Sequence, residues 1–297
     1  MTEATFVVAE RSALPLGRWR KSIRRFIRTQ PLGAVSALVI FLVVGAAIFA
    51  PLLNTTDPTK FGTSILAHPG ADHWFGTNRD GRDMYSRVLY GGRVSLMIGF
   101  ATVSLSMVGG TLLALIAGYI GGAVDVLISR IGEGVQGIPT ILFALTMATT
   151  FGSGLTTLTL SISLAFTPVI MRIMRGAVIQ QRGLAYVEAA RVVGASEARI
   201  MLRHVLPNLT SLMIVVASGT LPAAILTESA LSYLGVGVAF GDPSWGADLG
   251  GKAREYFQRA WWIAIFPGAA LSITVLSFNL LGDSLRDVLD PRLRGVR

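Results

Sequence analysis

Residues 188–208, EAARVVGASEARIMLRHVLPN, are a polar and helix-forming segment that lies between long, almost wholly apolar runs. The chain of 297 residues is 52% hydrophobic and 14% charged, with a mean hydropathy of +0.60. Soluble domains are about 25% charged, so this composition is typical of a protein embedded in a bilayer. The polar segment therefore belongs in a loop that connects two membrane spans.

Two short helices are predicted within and just before this segment. Residues 184–193 are rich in helix formers. Gly194 provides the left-handed conformation that ends a helix at little cost, and Ser196 is a good cap for a second helix. We expect the second helix to run to about His204 and to end at Pro207, whose ring cannot continue it.

The apolar side chains of these two helices are expected to be exposed, because the loop is too short to bury them in a core of its own. They are Leu184, Ala189, Ala190, Val192, Val193, Ile200 and Met201. An apolar-faced helix that lies in the groove of another protein is a common recognition mode, and we expect the segment to be a docking element. The alternative is a helix that rests on lipid headgroups.

Six charge-poor runs are each about long enough to cross a membrane, which takes about 20 apolar residues. They are residues 31–53, 94–118, 126–150, 155–174, 209–231 and 261–281. Four of these runs contain a proline that is expected to bend or kink the helix, namely Pro139, Pro168, Pro222 and Pro267. The prediction is an all-α integral membrane protein with six transmembrane helices.

The second run has small residues at every fourth position. They are Ser106, Gly110, Ala114, Gly118 and Gly122. Such a stripe predicts a smooth helix face on which another helix packs closely, although glycine is also simply common in membrane helices.

Lys and Arg are unevenly distributed among the loops. Of the 26, seven lie in the tail 1–30, one at position 130, six in residues 172–207 and four near the C-terminus, and the other eight lie on the opposite side. Because cytoplasmic loops are enriched in Lys and Arg, we expect both termini (1–30 and 283–297) and the 172–207 segment to be cytoplasmic, and residues 54–93 to form an outer loop. The net charge of +9 then needs no nucleic acid partner.

The segment resembles the cytoplasmic loop of a known family, the membrane permeases of ATP-binding-cassette (ABC) importers, and within them the dipeptide, oligopeptide and nickel group. That loop reads E-A-A, three residues, G, nine residues, an apolar position, any residue, L-P. The residues that match it are Glu188, Ala189, Ala190, Gly194, Leu206 and Pro207. His204 stands where the general pattern has Ile, and its R-H-x-L-P-N context is similar to the peptide and nickel subgroup. Further similar stretches are residues 75–96, 226–237, 243–246 and 279–292.

The resemblance implies a type I ABC importer permease in the bacterial cytoplasmic (inner) membrane. Its transmembrane domain would cover residues 94–282, with an EAA coupling loop at 182–208 that two separate ATPase subunits grip. A second homologous permease would complete the pathway, and an extracytoplasmic binding protein would deliver the substrate. The chain itself would hydrolyse nothing. Short peptides are the expected substrate; nickel or another small solute is the alternative within the group, and an ion-gradient-driven secondary transporter is the alternative outside it.

Other candidate sites in the sequence are weak. Residues 246–253, GADLGGKA, nearly form a phosphate-binding loop, but Ala253 replaces the Ser or Thr that binds magnesium. His68, Asp72 and His73 suggest a metal site but are more typical of surface residues. No catalytic triad or H-E-x-x-H is visible, and the chain has no cysteine, so we expect no catalytic residues, no metal and no cofactor.

Charged residues inside membrane runs are functional candidates by default. Glu228, near the outer end of the fifth run, is a possible pathway residue that meets a substrate ammonium group. Asp125 is expected to be solvated at the cytoplasmic end of the third run. Arg130 and Glu133 are three residues apart and can pair along one helix face.

Overall fold

The computed structural model describes residues 24, 26–152, 154–239, 241–250, 256 and 258–289. The long helices are α1 (Pro31–Ile48), α3 (Met84–Leu115), α4 (Gly122–Gln136), α5 (Thr140–Phe151), α6 (Leu155–Arg182), α10 (Thr210–Tyr233) and α12 (Trp262–Leu289). The short ones are α2 (Ala50–Leu53), α7 (Ala185–Val192), α8 (Glu197–Ile200), α9 (Leu206–Asn208) and α11 (Trp245–Leu249). Within the described residues the only strand-like pairing is an isolated bridge between Thr77 and Asp83.

In the part of the chain that the structure describes, five helices are long and apolar enough to cross a membrane. They are α1, α3 with the π-helical turn Ile116–Ile120 that extends it, α6, α10 and α12. The third expected span, residues 126–150, is the pair α4 and α5, which is bent by 88°. The bend lies at Pro139, where φ is −52° and ψ is 129°. Because proline lacks an N–H and clashes with the preceding turn, the expected interruption of this run becomes a sharp break.

Several helices differ in length from the expected spans: α1 ends at Ile48, five residues short, and α12 runs to Leu289, eight residues past 281. Helix α3 begins at Met84, so the last ten residues assigned to the outer loop 54–93 are helical. Its start is set by Asp83, whose side chain accepts a hydrogen bond from the Ser86 amide at 2.9 Å. Helix α6 continues to Arg182, eight residues beyond the expected end of the fourth span, and Val178 in this extension is buried against the loop.

Helix α3 packs along α6 through the small-residue stripe. Ser106 Oγ donates to the Ser163 carbonyl of α6 at 3.0 Å. A Cβ added to Gly110 would lie 2.8 Å from Ile170 Cγ2, so the approach requires glycine. Gly122 has open space around it. The predicted contact face is confirmed for the part of the stripe within α3. The close packing of α3 on α6 forms the centre of the bundle.

The remaining helices enclose this pair. Helix α10 contacts α3 and α12, and α1 lies against α12 and α3. The short α11 sits on α10 so closely that a Cβ on Gly246 would lie 2.1 Å from the Ser229 carbonyl oxygen. The two ends of the bundle thus carry different structures, namely the 54–83 segment with α11 at one end and α7 to α9 at the other.

Candidate docking site

Helices α7 and α8 form a hairpin around a left-handed glycine. Gly194 has a φ of +81°. The Ala195 amide donates to the Ala190 carbonyl at 3.0 Å, and the Gly194 amide donates to the Arg191 carbonyl at 2.9 Å. These two bonds form a Schellman motif, which satisfies carbonyls that the end of α7 leaves free. The predicted helix, glycine stop and second helix are confirmed.

The expected end of the second helix at Pro207 is wrong. Ser196 occupies the cap position, although its side chain makes no capping hydrogen bond, and α8 then continues through the π-helical turn Met201–Val205 into α9. After Leu209 the chain resumes as α10. A π turn bonds to carbonyls one residue further back than an α turn, which makes room for the proline ring and absorbs its missing N–H.

One side of the hairpin is buried against the ends of α3 and α6. Val187, Ile200 and Val205 are 0% exposed and join a core cluster with these helices, and Ala190 and Met201 pack partly against it. Ile200 was expected to be exposed, and the structure corrects this. The extra length of α6 supplies the apolar surface that the loop alone lacks.

The opposite side of the hairpin is an exposed apolar face, which we call the docking face. It consists of Leu184, Glu188, Ala189, Val192 and Val193. Val192 and Val193 are 88% and 87% exposed. On a helix, residues 184, 188 and 192 follow one another at every fourth position and share one side. The face is therefore continuous along α7.

The other residues of the E-A-A pattern lie away from this face. Ala190 and Leu206 are partly buried against the core cluster, and Pro207 is exposed at the far end of the hairpin. Gly194 connects the two helices. The pattern thus combines two positions on the docking face, Glu188 and Ala189, with residues that shape and seat the hairpin.

A polar contact ties both arms of the hairpin to the end of α3. The Tyr119 hydroxyl is hydrogen-bonded to Glu197 Oε2, and Arg191 Nη2 donates to the same hydroxyl at 3.2 Å. Arg191 Nε also donates to Glu197 Oε1 at 3.3 Å. The hydrogen bond from Tyr119 holds the pKa of Glu197 below its usual value. Sequence reasoning missed Tyr119, whose only signal is a tyrosine beside the Gly121–Gly122 pair.

Two further ionic contacts involve α4. Asp125 was expected to be solvated, but it is bidentate with Arg175 of α6, with Nη2 to Oδ2 at 2.5 Å, and its side chain is 17% exposed. Because a carboxylate near the membrane is costly without a partner, the ion pair replaces water. The expected contact between Arg130 and Glu133 is confirmed, with Nη1 to Oε2 at 2.8 Å.

At the opposite end of the bundle, Glu228 is enclosed by serines. Its Oε1 accepts from Ser232 Oγ at 2.8 Å and from Ser244 Oγ at 2.9 Å, and the residue is 0% exposed. The carboxyl group thereby joins α10 to the start of α11. A pathway role stays a prediction, and it would require α10 and α11 to separate.

The Glu228→Gln variant separates these two roles. We expect the KM for uptake to stay at the wild-type value, because the amide oxygen still accepts from serine and no substrate reaches the site in this conformation. The free energy of unfolding should fall by about 1–3 kcal/mol, because the N–H groups of the glutamine side chain would be buried without a hydrogen-bond acceptor. Glu133→Gln, at an exposed position, is the control for stability. A raised KM with unchanged stability would instead favour contact with the substrate.

A buried ion pair fixes the same end of the bundle. Arg87 Nε donates to Asp248 Oδ1 at 2.7 Å, and the two side chains are 4% and 5% exposed. Arg87 Nη1 also donates to the carbonyls of Pro58 at 3.0 Å and Gly241 at 3.1 Å. The pair connects α3, α11 and the 54–83 segment.

The weak candidate sites are accounted for locally. His73 Nδ1 lies 3.1 Å from Asp83 Oδ1, and the His68 ring lies 4.6 Å from the Trp262 ring, so the two histidines serve separate contacts. Asp72 is exposed. The glycine and lysine end of the GADLGGKA stretch, residues 251–253, lies outside the described residues.

Comparison with known proteins supplies the family. The family model described as binding-protein-dependent transport system inner membrane component matches residues 110–295. A dipeptide transport system permease protein of Alkalihalophilus pseudofirmus is 38% identical over 277 residues, which cover 93% of this chain and 90% of that protein. An oligopeptide transport system permease protein of Bacillus subtilis is 35% identical, covering 94% of this chain and 91% of its own.

Two solved structures share the fold. A methionine ABC transporter in inward-facing conformations aligns with a TM-score of 0.57 at 19% identity, over 70% of this chain and 98% of that chain. An amino acid ABC transporter determined with histidines aligns with a TM-score of 0.50 at 18% identity, over 67% of this chain and 92% of that chain. At these identities the likeness concerns the arrangement of helices.

Proposed function

Because this chain belongs to the family of binding-protein-dependent transport system inner membrane components, we propose that it forms half of a translocation pathway for di- and oligopeptides. It is a multi-pass permease subunit of an ABC importer, with the type I fold, as the resemblance of its motifs implied. The peptide substrate is supported by the names of its relatives, which are dipeptide and oligopeptide permeases.

The docking face is the observation that carries the coupling mechanism. Importers of this family work with ATPase and substrate-binding partners. The hairpin is fastened to the bundle on one side and presents Val192 and Val193, 88% and 87% exposed, on the other. Two ATPase subunits, one on each permease, take up these faces in apolar grooves. ATP is hydrolysed there and not in this chain.

The orientation of the chain in the membrane is proposed from the distribution of charge. The Lys and Arg of the tail, the 172–207 segment and the C-terminus support a cytoplasmic position for both termini and the docking face. The 54–83 segment and α11 then face outwards, where an extracytoplasmic binding protein delivers the substrate. A second, homologous permease completes the pathway.

The Val192→Asp variant tests the docking face. Val192 touches little of its own chain, so the variant should fold and insert normally. Burying an unpaired carboxylate in an apolar groove is costly, and we expect the affinity for the ATPase subunits to fall at least about tenfold. The measurement is the ratio of ATPase to permease after purification in mild detergent, at several salt concentrations.

Val192→Thr is the matched control, because threonine keeps the shape of valine without a charge. It should retain most of the affinity. Normal ATPase binding by Val192→Asp would contradict the assignment of the docking face. Uptake by the reconstituted chain alone, driven by an ion gradient without ATPase subunits, would contradict the whole proposal and favour a secondary transporter.

A further inference from the structure

We propose that Tyr119, Arg191 and Glu197 form a latch through which movement of the docking face is transmitted to helix α3. This inference rests on the proposed function, because it assumes that ATPase subunits move the hairpin. It assigns positioning roles to three residues, of which Tyr119 lies outside the E-A-A pattern and 72 residues before Arg191 in the chain. None of the three belongs to the docking face.

The latch joins both arms of the hairpin to a single group. Arg191 lies on α7, directly before the docking-face residue Val192, and Glu197 is the first residue of α8. Both are bonded to the Tyr119 hydroxyl, and to each other. A displacement of either arm is therefore passed to the same atom at the end of α3.

Tyr119 is well placed to receive that displacement. It is 4% exposed and lies in the π-helical turn Ile116–Ile120, so it is packed into the bundle and not free to rotate away. The Arg191 guanidinium also lies 5.6 Å from the centre of its ring, and that of Arg182 lies 6.0 Å away. Hydrogen bonds to charged groups are stronger than neutral ones, which favours a contact that persists when the hairpin is pushed.

The chain directly after the latch contains two successive glycines with positive φ. Gly121 has φ of 76° and ψ of −160°, and Gly122 has φ of 60°. The first of these conformations is essentially restricted to glycine. These two glycines join the π-helical turn to α4, of which Gly122 is the first residue, and glycine restricts the backbone less than any other residue.

Beyond Gly121 and Gly122, the chain is anchored to α6. Asp125, in the first turn of α4, is paired with Arg175 of α6. The end of α3 is thus tied to the hairpin, whereas the start of α4 is tied to α6.

The test compares two tyrosine-to-phenylalanine variants in the full importer reconstituted in proteoliposomes. Tyr119→Phe removes the shared hydroxyl and keeps the ring. Tyr186→Phe is the matched control, since Tyr186 lies in the same hairpin and its hydroxyl donates to Gln181 of α6 at 2.7 Å. We expect Tyr119→Phe to lower the amount of substrate transported per ATP hydrolysed by about tenfold, because the variant loses one hydrogen bond to a charged group. Both variants should bind the ATPase subunits as the parent does.

Spin labels separate transmission from a general structural defect. The chain has no cysteine, so single labels are introduced cleanly by Ser196→Cys in the hairpin and Leu112→Cys on the exposed side of α3. In the labelled importer that keeps Tyr119, which we call the parent, ATP should change the spectrum of both labels. With Tyr119→Phe, only the label at position 196 should respond. In chains that keep Tyr119, Glu197→Gln still accepts a hydrogen bond from the hydroxyl. The label at position 112 should therefore respond to ATP more strongly in Glu197→Gln than in Glu197→Ala.

The outcomes are distinguishable. A response at position 112 and normal coupling in Tyr119→Phe would overturn the latch while leaving the docking face intact. A parent in which neither label responds to ATP, or in which the ATPase subunits do not bind, would instead overturn the proposed function on which the latch rests.

Discussion

The Gly194→Val variant is expected to uncouple ATP hydrolysis from transport. Gly194 has a φ of +81°, a conformation that a β-branched residue rarely adopts. A Cβ at this position would meet nothing within 4 Å, so the penalty arises from the backbone and not from crowding. The strain is about 1–3 kcal/mol, which corresponds to roughly 5- to 150-fold in a coupled equilibrium.

Relief of that strain would displace the docking face. If the backbone turns away from the left-handed region, the amide of Ala195 loses the Ala190 carbonyl and α7 rotates relative to α8. Transport per ATP hydrolysed, with the amount of bound ATPase subunit, is the measurement. Gly183→Val is the control, because Gly183 ends α6 with φ of −84° and the nearest atom to an added Cβ is 3.8 Å away. Wild-type coupling in Gly194→Val would show that the hairpin geometry is not required.

The Arg87→Met variant should have the largest effect on stability. Removing one partner of a buried ion pair costs about 3–5 kcal/mol, because the other charge is left uncompensated. Burial already raises the pKa of Asp248, and Arg87 opposes that shift, so in the variant the carboxyl would take up a proton. The carbonyls of Pro58 and Gly241 would also lose a donor. We expect a lower midpoint of thermal unfolding in detergent and less protein in the membrane.

Arg79→Met is the control for this prediction. Arg79 pairs with Asp80 at 3.6 Å, with side chains 34% and 26% exposed. Ion pairs exposed to solvent contribute about 0–1 kcal/mol, so this variant should unfold close to the wild type. Equal stability of Arg87→Met and Arg79→Met would mean that water replaces the buried guanidinium without penalty.

Properties that depend on near neighbours in the chain were predictable. The α7–α8 hairpin follows from a run of helix formers and from Gly194, since both helix formation and the left-handed stop are set within a few residues. The apolar runs follow from the length a bilayer requires. The pairing of Arg130 with Glu133 follows from helix periodicity alone.

Proline shows where local reasoning becomes insufficient. Pro139 lies at an 88° break between α4 and α5, whereas Pro207 is carried through a nearly continuous helix into α10. Both lack an N–H and both crowd the preceding turn. The difference is that a π-helical turn precedes Pro207, in a stretch where Ile200 and Val205 are held by the core cluster. Packing, and not the residue, selects between a break and a continuation.

Composition, apolar runs and short-range periodicity were enough to predict a multi-span helical protein with an exposed amphipathic hairpin, because none of them depends on which distant residues meet in the fold. The contacts of Arg87 with Asp248 and of Tyr119 with Glu197 join residues 161 and 78 positions apart. No periodicity connects such residues. Arg87 meets Asp248 because α11 sits on α10, which packs against α3. Tyr119 meets Glu197 because α3 packs on α6, whose extended end seats the hairpin.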